Sequence, residues 1–331
     1  MRLHWLIPGT YFTTKDLSRS NLASIRLRSA LAIGIAEKAG INVSFGESLS
    51  NINNIDGVFV GKIGADCNNG RSGKWLEYLK NFKSAGKVIM LDYTDNHLGL
   101  PNSQMADFYK SALQYIDYTI TPSGHMANLL NAHYKGKNNI IYDPVEISNS
   151  IPKILTHSVK KILWFGHGSN LQYLLNYLQS QSNSTQFFEL LILSDKASLE
   201  FLVRNPPKIS LNLKINLAEW SISNMIAASK IADACIIPSD PQDPKKSGAS
   251  SNRLITSFAL GLPTAASNIP SYVPYSDYYF DLQSAEIDDF LNSLDKYSLK
   301  ISLAQEVVTP NYTMEKIGGE WASFIKHHIP T

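Results

Sequence analysis

The sequence is poor in the residues that mark the simplest kinds of site. It has two cysteines in 331 residues, Cys67 and Cys235. Neither belongs to a Cys-x-x-Cys or Cys/His spacing, so no metal cluster is expected. Cys235 sits in an apolar stretch and reads as a small buried hydrophobe. Charged residues are only 18% of the chain, and 30 basic against 28 acidic side chains leave a net charge of +2. That balance argues against nucleic acid as the partner. No apolar run approaches the ~18 residues that a membrane span needs. Gly-x-Gly-x-x-Gly is absent, so a dinucleotide fingerprint is unsupported. Repeats of ~20–50 residues are absent too. Met1 to Pro8 is too short and wrongly flanked for a signal peptide. A reduced, cytoplasmic protein is expected, without a membrane span but compatible with peripheral membrane contact.

What is present is an alternation of short apolar strands and amphipathic helices. Hydrophobic residues make up 44% of the chain, enough for two cores, and the length favours two domains. Arg2–Pro8 reads as a strand, followed by a polar loop and a long helix over 22–39, the opening of a doubly wound sheet. Further strands are expected at 43–45, 58–61, 87–92, 117–121 and 139–145. Ser148–His157, with Pro152 and weak periodicity, reads as a linker. The pattern restarts with strands at 161–165, 187–193, 211–215 and 234–238, and ends in a helix over 312–328.

Several candidate ligand contacts fall just past strand ends, where ligands gather in open α/β sheets. Lys62 follows one strand. Asp92, Asp95 and His97 follow another, and of these Asp95 is the strongest candidate for acid–base or hydroxyl-binding work. Gly166 and Gly168 bracket a turn before a helix, with Asn170 at the helix start, an arrangement that lets a phosphate approach backbone N–H groups. Trp220 ends another strand. Arg26 and Arg28 lie near the start of the first long helix, where they could meet phosphate or simply face solvent.

The most informative stretch runs from Lys245 to Tyr272. A strand feeds a loop with Lys246, Ser250 and Ser251. A helix starts at Ser251 or Asn252, either of which can cap it. Leu254, Ile255, Phe258 and Ala259 form its apolar stripe, while Gly261 and Pro263 end it. A helix N-terminus favours anions, and Lys246 and Arg253 add charge suited to phosphate.

Asn252-Arg253-Leu254-Ile255, Ala259-Leu260-Gly261-Leu262-Pro263 and Ser267-Asn268-Ile269-Pro270-Ser271-Tyr272 resemble the donor-binding segment of GT-B glycosyltransferases, the retaining, family-4-like group in particular. Ser24-Ile25-Arg26-Leu27-Arg28 and the Asp92–Asn96 segment are also similar to that group. Family members usually carry two glutamates in the donor segment, the second of which holds the donor ribose. Gly248 and Thr256 stand at those positions, so that contact is expected to be absent or replaced.

The resemblance implies two Rossmann-like α/β domains facing a cleft. Residues 1–147 would form the acceptor side, 148–158 the linker, 159–310 the nucleotide-sugar domain, and 311–331 a helix crossing back. It implies transfer of a hexosyl group, with retention and without a metal, from a nucleotide-sugar co-substrate to a carbohydrate or other hydroxyl acceptor in glycan or glycoconjugate synthesis. No further cofactor is implied. Asp95, Arg253 and Lys246 would be catalytic. Gly166, Gly168, Asn170, Trp220, Ser250, Ser251, Asn252 and Thr256 would line the donor. The alternative is a catalytically inactive GT-B-like protein that binds nucleotide-sugars or serves in assembly.

Overall fold

The computed structural model describes residues 1–49, 52–100, 103–154, 160–181, 184–207, 209, 212–284 and 286–329. The chain forms two compact units. One comprises Met1–Pro144, Pro244–Ser250 and Met314–Thr331, and the other Val145–Asp243 and Ser251–Thr313. The expected linker at 148–158 lies in part, from residue 155 onward, outside the described residues.

The first unit is built on six parallel strands: β1 (Arg2–Leu6), β2 (Asn42–Gly46), β3 (Gly57–Val60), β4 (Val88–Asp92), β5 (Tyr118–Thr121) and β6 (Lys137–Ile140). Their order is β2-β1-β3-β4-β5-β6. Connection direction reverses between β1 and β3, so the topological switch point lies at their carboxyl ends. The helices are α1 (Thr14–Ser18), α2 (Ala30–Lys38), α3 (Arg71–Ser84), α4 (Gln104–Ala112) and α5 (Gly124–Asn131). β3 is buried along its whole length, the pattern of a central strand covered on both faces. On one face Trp75, Leu79 and Phe82 of α3 pack on Val58, Val60 and Leu91.

The helix expected over 22–39 divides in two, because Ser24–Ser29 forms a single π-helical turn before α2. That turn buries Arg28, which is 1% exposed. Its Nε donates to both carboxylate oxygens of Asp92, at 2.8 and 2.9 Å. Its Nη1 donates to the Ile141 carbonyl at 2.7 Å and to Asp143 Oδ1 at 2.8 Å. Trp321 lies 5.5 Å from the guanidinium. Burial alone would favour neutral Arg28, but the two carboxylates hold it charged. Arg28 therefore neither faces solvent nor reaches for a phosphate. It clamps the ends of β4 and β6 to the π turn.

The second unit repeats the plan with β7 (Lys160–Phe165), β8 (Phe188–Ser194), β9 (Leu213–Glu219), β10 (Ala234–Ile237), β11 (Thr264–Ala266) and β12 (Phe280–Asp281), ordered β12-β11-β10-β7-β8-β9 and all parallel. Here the switch point falls between β7 and β10, which pair with Leu163 opposite Cys235. Helices α6 (Leu171–Ser180), α7 (Lys196–Arg204), α8 (Ile222–Ile231), α9 (Pro244–Ser247), α10 (Asn252–Ala259), α11 (Ile287–Asn292), α12 (Leu294–Val307) and α13 (Met314–His328) complete the chain. By its contacts α9 belongs to the first unit, as does α13. Ile317, Trp321, Phe324 and Ile325 of α13 enter a core with Trp5, Ala32, Ile33 and Phe59.

Gly261 ends α10 with φ +72°. A Cβ there would lie 2.6 Å from the Ile151 carbonyl oxygen, so both backbone shape and space demand glycine. Two of the elements were not legible as sequence patterns. α1 lies inside the stretch expected as a polar loop, set by a capping box between Thr13 and Asp16. α11 begins at Glu286, which forms a second capping box with Asp289.

Candidate functional site

In the second unit the loop from Gly166 to Asn170 leaves the carboxyl end of β7, at the switch point. Gly166 accepts from Ser194 Oγ at 2.9 Å, and its N–H donates to the Leu193 carbonyl at 3.0 Å. Gly168 donates its N–H to Asp195 Oδ2 at 2.7 Å, so this N–H holds the loop itself. A Cβ on Gly168 would lie 1.7 Å from Ser198 Oγ, which leaves room for glycine alone. Burial would raise the Asp195 carboxyl, but bonds from the Ser198 hydroxyl and from the N–H groups of Ser198 and Gly168 outweigh it and lower it to about 2. Asn170 occupies the N-cap position of α6 without a side-chain capping bond.

Arg253, the second residue of α10, leans over this loop. Its guanidinium carbon is 5.3 Å from the Trp164 ring and 5.8 Å from Phe165, within cation–π range. A Cβ on Gly166 would come within 3.2 Å of Arg253 Cζ and Nη2, so glycine lets the guanidinium lie flat against the backbone. Nε and Nη2 are buried and have no hydrogen-bond partner among the described residues. Burial, only partly offset by Tyr272 and Cys235, lowers the pKa of this cation.

Ser251 takes the N-cap position of α10, but its side chain makes no capping bond, contrary to the expected cap. The first-turn N–H groups are thus not claimed by that hydroxyl. Asn252 begins the helix, and Thr256 is buried one turn on, 6% exposed. No acidic residue occupies the first turn of α10. Trp220 follows β9 on the same sheet edge, two strands from the switch point, and its N–H donates to the Ser194 carbonyl at 2.8 Å.

The first unit carries a separate cluster at its own sheet edge. Asp95 lies beyond β4, with Lys62 Nζ 2.6 Å from its Oδ2 and Thr94 Oγ1 donating at 3.2 Å. Burial would raise the Asp95 carboxyl, but Lys62 and then His97 keep it below its ordinary value, so it is ionised at neutral pH. Its side chain remains 41% exposed. His97 is buried, stacks on Tyr109 with centroids 5.4 Å apart, and places Nε2 4.0 Å from Asp95 Oδ2. Burial depresses its pKa to about 4, leaving a neutral imidazole.

Lys246 and Ser250 also belong to the first unit, whereas Ser251 and Arg253 belong to the second. The structure therefore does not group Lys246 with Arg253 in one compact unit. Beside Lys246, the Asn96 amide donates to the Pro244 carbonyl at 3.3 Å and to Ser247 Oγ at 3.1 Å. A Cβ on Gly248 would meet Met126 Cε at 2.2 Å. Any side chain at 248, a glutamate included, would have to displace Met126 to sit here.

No protein-family model and no curated protein matches the chain. Solved structures do. A sucrose-phosphate synthase from Thermosynechococcus elongatus matches at TM-score 0.65 and 12% identity, over 98% of each chain. The fold is GT-B. An alpha-glucosyltransferase solved in complex with UDP matches at TM-score 0.62 and 8% identity, over 98% of this chain and 100% of that one. The chain spans about half the length of the solved structure of TarM, 54% of it, at TM-score 0.54 and 11% identity. At these identities the likeness is one of fold. Among the described residues no helix is long and apolar enough to cross a membrane, and no three of His, Cys, Asp and Glu are grouped as metal ligands.

Two of the expected donor residues, Gly166 and Arg253, are thus in contact. The partners that hold the site in shape, Asp195 and Ser198, went unnoticed. Their signal was readable: Asp195 accepts from Ser198 N–H as the N-cap of α7, a local Asp-x-x-Ser pattern.

Proposed function

We propose that the chain is a glycosyltransferase that moves a sugar from a UDP-sugar to an acceptor hydroxyl, with retention and in the manner of the family-4-like group. The observation that carries the reading is Arg253. A cation held flat against a glycine loop at a switch point, with two buried N–H donors unmatched, is suited to a diphosphate. Buried polar groups are normally paired, and an unpaired charge is costly. A UDP diphosphate on the first turn of α10 would take those donors and meet the helix N-terminus. As the glycosidic bond breaks, charge grows on the leaving diphosphate, and fixed donors stabilise it without reorganising. This arrangement places the positive charge in the protein, so turnover is expected to be unchanged in EDTA. Asp95, ionised and accessible, is assigned to the acceptor hydroxyl.

A second reading, binding without turnover, is favoured by Gly248 and Thr256 at the positions of the two glutamates. Thermal shift with UDP, GDP, ADP and UDP-sugars, followed by an assay for UDP release with glycan acceptors, separates the readings. Binding raises the melting temperature by mass action. UDP should shift it most, and a protein whose melting temperature no nucleotide moves is not a glycosyltransferase of this kind. In the turnover assay Asp95→Asn should lower the rate by about 10²-fold or more, the usual range for a lost acid–base group. Its UDP affinity should stay within about twofold, since a half-exposed ion pair contributes little to the fold. If Asp95→Asn instead abolishes UDP binding and spares transfer, its place on the acceptor side is wrong.

A further inference from the structure

Across the switch point from Gly166, the chain leaves β10 and makes a turn. Ser239 N–H donates to Ser267 Oγ at 2.9 Å. Asp243 N–H donates to the Asp240 carbonyl at 3.2 Å, and Gln242 N–H to Asp240 Oδ1 at 2.9 Å. The turn delivers Asp243 to the first turn of α6, where the Tyr173 hydroxyl donates to Asp243 Oδ2. Burial, then the charges of Asp243 and Asp240, push the Tyr173 hydroxyl upward, so it stays a donor. Tyr173 is three residues beyond Asn170. Arg253 thus touches the Gly166–Asn170 loop at its first residue, and Asp243 touches the helix that the loop leads into.

The electrostatics of this edge are divided. Arg253 favours an anion. Asp243, with Asp240 also acting on Tyr173, disfavours one. A helix N-terminus that has a carboxylate tied to it is a poor seat for a second negative group, because like charges in a partly buried site repel. It is a good seat for hydroxyls, since a carboxylate accepts on both oxygens. The stretch from Gly248 to Thr256 holds no acidic side chain, so the turn before α9 is the place from which this site can draw a carboxylate.

Resting on the donor reading above, we propose that Asp243, positioned by Tyr173, is a specificity-determining residue of the donor site. It accepts hydrogen bonds from the hydroxyls of an uncharged sugar and excludes sugars that carry a carboxylate. The transferred group is then a neutral hexose rather than a uronic acid.

The test uses UDP, UDP-glucose and UDP-glucuronate, whose two sugars differ only in the group at C6. Affinities are measured by calorimetry on the full chain and on Asp243→Asn and Tyr173→Phe, with melting temperatures as a check on folding. The unaltered protein should prefer UDP-glucose to UDP-glucuronate by about tenfold or more, the effect of a single charge-assisted hydrogen bond. Asp243→Asn should bring the two within about threefold while UDP affinity stays within about twofold. Tyr173→Phe, which frees the carboxylate without removing it, should fall between. If UDP binds, Arg253→Ala abolishes that binding and Asp243→Asn leaves the sugar preference unchanged, this inference falls and the donor reading stands. If Asp243→Asn lowers UDP affinity as much as UDP-glucose affinity, Asp243 shapes the loop and does not read the sugar. If the unaltered protein binds no UDP, both readings fall together.

Discussion

Arg253→Ala should weaken UDP binding by about 10- to 150-fold, the equivalent of one charge-assisted hydrogen bond at about 1.5–3 kcal/mol. The guanidinium sits against Gly166, and its buried Nε and Nη2 have no partner among the described residues. Such an arrangement costs free energy in the unliganded protein, because a charge removed from water without a counter-charge loses its hydration. The expected result therefore has a second half. Arg253→Met, which keeps the packing on Trp164 and Phe165 and removes the charge, should be at least as stable as the unaltered protein in the absence of ligand. Replacing buried ionic groups by apolar ones of similar volume is often neutral or stabilising. A residue that lowers stability alone yet raises affinity is what a preformed anion site needs. Lys246→Ala should weaken binding less, since a long flexible ammonium loses more entropy on fixing a phosphate than a planar guanidinium does. Calorimetry with UDP, alongside thermal unfolding without it, measures both halves. Unchanged affinity in a folded Arg253→Ala protein would remove the donor-site assignment, and with it the proposed function.

The largest effect on stability is expected at Arg28. Arg28→Leu should lower the free energy of unfolding by about 3–5 kcal/mol, the range seen when one partner of a buried ion pair is removed. The substitution would leave Asp92, 3% exposed, and Asp143 facing the gap without the cation that both now contact. It would also open the contact with Trp321, and so the seam between the π turn and α13. Arg28→Leu combined with Asp92→Asn and Asp143→Asn should recover part of the loss, because the repulsion between stranded carboxylates goes with the charges. Urea unfolding followed by tryptophan fluorescence would show this as a lower midpoint for the single variant and a partial return for the triple. A loss under about 1 kcal/mol in the single variant would mean that water reaches the cluster and satisfies it, as at ordinary surface sites.

Arg28 also marks where sequence reading reaches its limit. In the sequence, Arg26 and Arg28 at the start of a helix suggest either a solvated face or a phosphate contact, and nothing local separates these. The deciding facts lie 64 and 115 residues away, in Asp92 and Asp143. A single π turn rotates Arg28 inward, a change that an average helical period does not carry. The same holds for Asp243. Its neighbours suggest a turn, Asp and Pro being turn formers. Its pairing with Tyr173, 70 positions earlier, exists because β7 and β10 are neighbours in the sheet.

By itself the sequence determined what rests on local periodicity and local backbone chemistry. The alternation of apolar strands with helices dictated two doubly wound sheets, because each pattern can bury its apolar face in only one way. The apolar stripe of α10 and its end at Gly261 were legible for the same reason, as was the presence of a phosphate-seeking arginine beside a glycine loop. Tertiary structure alone decided which charges are satisfied. Arg253 is left with unmatched donors while Arg28, equally basic and equally near a helix start, is fully paired, because pairing depends on which strand ends the topology brings within about 3 Å, the reach of a hydrogen bond. That distance is set by strand order, and strand order is written across the whole chain and in no single stretch of it.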